Sequence, residues 1–98
     1  MSLPVVYLPE AQDDIDAAYA AYEQRVAGLG EQFLEALRDQ VDRIQANPEL
    51  YGVLHQDVRA APMRRFPYVV YYRVEPDKIL IIAVQHGRRS AGAWQGRI

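Results

Sequence analysis

Residues 68 to 86 read Tyr68-Val69-Val70-Tyr71-Tyr72-Arg73-Val74, then Glu75-Pro76-Asp77-Lys78, then Ile79-Leu80-Ile81-Ile82-Ala83-Val84-Gln85-His86. In the first run every residue except Arg73 is Val or Tyr, side chains that suit a pleated, half-buried surface. The middle four are turn formers: Pro presets φ, and Asp bonds its own backbone. The last run is apolar on both period-two faces, which marks a central strand. A hairpin at the heart of a sheet follows. Arg73 avoids burial without a partner, so Val69, Tyr71 and Arg73 are placed on an outward face and Tyr68, Val70, Tyr72 and Val74 on an inward one.

Upstream, Val58 to Phe66 is a weaker strand, and Pro62 within it implies an edge or a bulge. The stretch from Pro48 to Gln56 reads as irregular. Before it the period changes. Phe33, Leu34, Leu37, Val41 and Ile44 form one helical stripe that ends where Asn47 precedes Pro48. Ile15, Ala18, Tyr19, Tyr22 and Val26 form another, on a helix running from Pro9 to Ala27. Pro9 suits the first helical position, and Asp13, Asp14 and Asp16 lie in early turns where the helix dipole favours acids. Gly28 and Gly30 separate the helices into an antiparallel hairpin, and Leu3 to Leu8 is a first strand. The order is β-α-α-β-β-β: an α+β domain with a helical hairpin packed on one face of a mostly antiparallel sheet. The other face is expected to lie open, with a C-terminal tail forming a last turn of helix around Trp94.

Ninety-eight residues bury one modest core, so residues 1–98 form a single domain. Half are apolar and 24% charged, an ordinary globular balance. The absence of cysteine excludes disulfides, thiolate metal sites and a Cys nucleophile. No apolar run reaches the roughly eighteen residues that span a bilayer, and no basic-then-apolar leader opens the chain, so a cytoplasmic protein with no membrane contact is expected. No metal spacing, phosphate loop or nucleophile elbow is present, and no cofactor is expected. Ser90 reads as an ordinary loop serine.

The net charge of −2 conceals a division. Residues 1–50 hold three Arg and ten acids, a net of −7; residues 51–98 hold seven Arg, one Lys and three acids, a net of +5. Arg59, Arg64, Arg65, Arg73, Arg88, Arg89 and Arg97, with His86, are thereby assigned to one sheet and its end. Guanidinium forks and aromatic planes suit phosphate and base recognition, and equally an acidic protein surface. His86 is the one candidate proton carrier, while His55 sits in a loop.

The run Arg64-Arg65-Phe66-Pro67-Tyr68 through Val74, then Ile79 to Val84, then His86-Gly87-Arg88-Arg89 and Trp94-Gln95-Gly96-Arg97, resembles the C-terminal half of the RelE/ParE toxin superfamily, also called plasmid stabilisation proteins. Ala11, Asp14, Ile15, Asp16, Ala18 and Tyr22 loosely resemble its first helix, and Asn47-Pro48 with Gly52 is similar too. The resemblance implies a type II toxin that inhibits growth and is neutralised by a cognate antitoxin protein. It implies one of two targets: DNA gyrase, bound without chemistry by ParE-like members, or ribosome-bound mRNA, cleaved by RelE-like members. A ribonuclease of this type would use Arg64, Arg65, Arg73, His86 and Arg89. RelE-like enzymes commonly follow the strand tyrosine with arginine and add lysines nearby. Here Val69 follows Tyr68, and Lys78 lies in a turn, which favours the ParE-like branch. Target or antitoxin contact then falls to Arg59, Tyr71, Arg73, Arg88, Arg89, Trp94 and Arg97, with the antitoxin covering the open sheet face and the hairpin groove. A non-toxic binding module on the same fold is the remaining alternative, and both a homodimer and a toxin-antitoxin hetero-oligomer stay open.

Overall fold

The computed structural model describes residues 2–89 and 92–98, which leaves Ser90 outside. The anticipated hairpin is its centre: β4 (Tyr68–Val74) and β5 (Ile79–His86) pair antiparallel, Tyr68 opposite His86 and Val74 opposite Ile79. The first strand, β1 (Val5–Tyr7), lies parallel to β5 on its other side, and β3 (Val58–Pro62) lies antiparallel to β4. A further strand, β2 (Val53–His55), occupies the edge beyond β3, so the sheet order is β1-β5-β4-β3-β2. The stretch read as irregular therefore contains a strand. Its turn uses Gln56 and Asp57 at φ of 45° and 68°. This left-handed pair does the work of Asn-Gly without its sequence signal. Pro62 ends β3 where β2 no longer flanks it, so its missing N–H breaks no ladder.

One irregularity decides which way the end of β5 faces. Tyr72 pairs with Ile81 but Tyr71 pairs with Ala83, so Ile82 is an extra residue, a β-bulge. Ile79 and Ile81 pack on one face. After the bulge Val84 joins that same face, while Leu80, Ile82 and Ala83 take the other. His86, two residues beyond Val84, is thereby turned to the side of Tyr68.

The two helices, α1 (Pro9–Arg25) and α2 (Leu29–Ala46), cover the first face. Ala11, Ile15, Ala18, Phe33, Leu37, Val41 and Ile44 meet Val70, Tyr72, Ile79 and Ile81 there. Val26, expected on the stripe, instead caps α1 and is 59% exposed. A Cβ at Gly30 would stand 2.8 Å from the Tyr19 ring and 2.9 Å from its carbonyl, so glycine sets how closely the helices approach. The Glu23 carboxylate accepts the N–H groups of Gly28 and Gly30 at 2.9 and 3.0 Å, capping α2 from the preceding helix. Gln40, buried, donates to Tyr51 Oη and the Pro62 carbonyl and accepts from Arg43, tying α2 to the end of β3.

The opposite face is not open. A short helix, α3 (Gly92–Gln95), lays the Trp94 ring on Tyr71, centroids 4.9 Å apart, over Val58, Leu80 and Ile82. Trp94 is fully buried and Tyr71 nearly so. The apolar residues that β3, β4 and β5 present there demand a lid, and an indole supplies on the order of 4–6 kcal/mol of burial. No described helix is long and apolar enough to cross a membrane.

Candidate functional site

The C-terminal arginines divide according to their neighbours. Arg97 forks onto Asp14 of α1, Nη1 to Oδ2 at 2.7 Å and Nη2 to Oδ1 at 3.1 Å, and Nη1 also donates to the Ile82 carbonyl. Asp14 Oδ2 accepts the Val84 N–H at 3.0 Å as well. One carboxylate thus joins α1, β5 and the tail, and its hydrogen bond holds the Arg97 pKa above the ordinary guanidinium value. Arg73 donates to Glu75 at 2.7 Å, and Lys78 reaches the same carboxylate at 3.1 Å. Those bonds, Arg73 first, keep Glu75 below the usual carboxylate range. Arg59 donates to the Tyr51 carbonyl at 2.7 Å and lies 3.9 Å from Glu49.

Arg64, Arg65, Arg88 and Arg89 are exposed and form no ion pair among the described residues. Arg64 and Arg65 lie in the loop entering β4, and Arg88 and Arg89 follow β5. Since Tyr68 faces His86 across the ladder, all four stand at one end of the sheet. Arg65 takes φ of 70°, with its guanidinium 5.9 Å from the Phe66 ring centroid. Arg73 is five residues further along β4 from Tyr68, roughly 17 Å away.

Between the two loops opens a cleft of about 280 Å³, walled by Met63, Phe66, Pro67, Val69, Gly87 and Arg88, with Tyr68 and His86 at one side. Tyr68 and His86 also border two smaller grooves. One, of about 230 Å³, runs toward Asp13, Asp14, Ala17 and Arg89; the other, of about 180 Å³, runs toward Ala21, Tyr22 and Arg25. Their rings meet edge to face, centroids 5.6 Å apart. His86 Nδ1 accepts the Arg88 N–H at 3.1 Å, which leaves the hydrogen of the neutral ring on Nε2. Behind them Tyr22 touches Phe33, Phe66 and Tyr68, at 5.0 Å from Phe66. Burial, then Tyr68, raises the Tyr22 pKa, and Arg25 opposes the shift.

Of the residues expected to meet a partner, Arg88 and Arg89 stand at this end without an ion pair among the described residues. Tyr71 and Trp94 are spent on the second core, and Arg59, Arg73 and Arg97 on carbonyls and carboxylates. Of the ribonuclease set, Arg64, Arg65, His86 and Arg89 share the end of the sheet and Arg73 does not. Tyr22, Arg25 and Tyr68 border the site and were not singled out. Arg25 lies one helical turn from Tyr22, a spacing visible in the sequence, but the end of the sheet that it flanks is not. The arrangement suits carboxylates, through arginine forks, beside a slot for an apolar side chain. Among the described residues no cluster of His, Asp or Glu could hold a metal ion.

A family model described as the ParE toxin of the type II toxin-antitoxin system, parDE, matches residues 5–91. Among solved structures, a chain of the chromosomal ParDE TA system from P. aeruginosa has a similar fold. Its TM-score is 0.76 at 22% sequence identity, over 86% of this chain and 95% of that one. No curated relative matches.

Proposed function

This chain belongs to the ParE toxin family of type II toxin-antitoxin systems, and from that premise we propose that it inhibits DNA gyrase by binding it through the basic end of the sheet. The observation that carries this reading is that Arg64, Arg65, Arg88 and Arg89, all exposed and with no ion pair among the described residues, stand at one end of the sheet, with Arg88 lining the cleft there. Association through such a patch is steered by charge and weakens with salt. The family is that of a toxin paired with an antitoxin, and a cognate antitoxin with an acidic segment would neutralise this chain by occupying the same basic end. Binding is favoured over RNA cleavage because Arg73 and Lys78 are engaged with Glu75, distant from His86. The test is gyrase supercoiling with purified protein. Inhibition at near-stoichiometric ratios, lost on joint charge reversal of Arg88 and Arg89, is expected. Unimpaired supercoiling at excess protein would refute it, and new cuts in translated messages after induction would replace it with the ribonuclease.

A further inference from the structure

Gly87 forms one wall of the cleft, and its backbone does not demand glycine. Among the described residues Gly28 alone is a glycine with positive φ. Gly87 is held by its N–H to the Pro67 carbonyl at 2.8 Å. A Cβ there would rest 3.6 Å from that carbonyl and 3.7 Å from Val69 Cγ2, ordinary contact distances. A methyl therefore fits, and because the Cβ would stand against Pro67 and Val69, two residues that line the cleft, a longer side chain can lie over it. What the missing side chain preserves is the empty volume.

We infer that this cleft takes one bulky apolar side chain of an acidic peptide segment, with Gly87 setting the size of the anchor it admits. The inference rests on the reading that the basic end binds a protein partner, and it adds which chemistry is recognised. The slot is lined by Met63, Phe66, Pro67 and Val69, apolar groups that gain from excluding water. Arg88 lines it and Arg64 follows Met63 in the neighbouring loop, neither with an ion pair among the described residues, so acids beside the anchor complement them. A nucleobase fits less well. Phe66 is buried against Tyr22 and Phe33, and Tyr68 already packs against His86, Phe33 and Tyr22, so a stacking base would compete with contacts that these rings already make. Asp13 beside the neighbouring groove opposes a phosphate chain.

The test follows backbone amide shifts of the full ¹⁵N-labelled chain. The probes are two synthetic peptides, Asp-Glu-Phe-Glu-Asp and Asp-Glu-Ala-Glu-Asp, and a single-stranded oligonucleotide of equal charge. The Phe peptide should shift Val69, His86 and Gly87, and the Ala peptide should bind at least about tenfold more weakly. Gly87→Leu should remove that preference and leave the Ala peptide unaffected, while Gly87→Ala keeps most of it. Equal affinity of the two peptides for the unaltered chain would overturn the proposal, as would stronger shifts of these amides by the oligonucleotide. Gyrase inhibition without a preference for Phe sinks this inference alone; a preference for Phe without inhibition supports it and sinks the gyrase target.

Discussion

Two sets of arginines in the same half of the chain have opposite fates, and the difference lies in what folds beside them. Arg97 sits against Asp14 and the edge of β5, mostly out of water, and fastens the tail that carries Trp94. Arg88 and Arg89, eight or nine residues earlier, face solvent. A guanidinium beside a buried carboxylate is part of the scaffold; one beside an apolar cleft is available to another molecule. Charge counted along the sequence cannot separate the two uses.

The contrast breaks most severely if the lid goes. Trp94→Ala should cost about 3–5 kcal/mol, because it leaves a cavity over Tyr71. Thermal unfolding should show it, and an unchanged midpoint would mean that α3 contributes little. Next is the fastening itself. Asp14→Ala strands the mostly buried Arg97 and should cost about 3 kcal/mol, whereas Asp14→Ala with Arg97→Met should recover part of that in denaturant titrations. Failure of the double variant to recover would locate the cost in the lost Val84 hydrogen bond. At the free end the expected effect moves from stability to association. Arg88→Glu with Arg89→Glu should keep unfolding within about 0.5 kcal/mol of the unaltered chain. The same pair should weaken the proposed inhibition of gyrase at least about tenfold and flatten its salt dependence.

The smallest effect concerns Glu75. Its folded-state pKa lies below the ordinary 4.5, so its contribution is present above that value and is lost as the pH falls through the lowered pKa. Glu75→Gln should therefore lower the melting midpoint slightly at neutral pH and not at all in strong acid. A difference that persists in acid would assign the effect to packing of the turn.

The fold was legible because its determinants are local. Two helical stripes, a Val/Tyr strand and an all-apolar strand each announce their period within a few residues, and the helical hairpin, the central strand hairpin and their packing follow. β2 escaped because its turn uses Gln56 and Asp57 in the left-handed region, where no common signal marks it. The site was legible in part. Arg64, Arg65, His86, Arg88 and Arg89 could be named, but the face expected to lie open at Tyr71 is closed by its stacking on Trp94.

From residues alone come the elements, their faces, the charge asymmetry and the likeness to a toxin family, all properties of short segments. The tertiary structure decided which arginines remain free and which way His86 points. The first depends on Asp14, 83 residues from Arg97. The second depends on one extra residue, Ile82, that reverses the alternation midway along β5. Ion pairs and strand register are set between segments, so no window of sequence contains them.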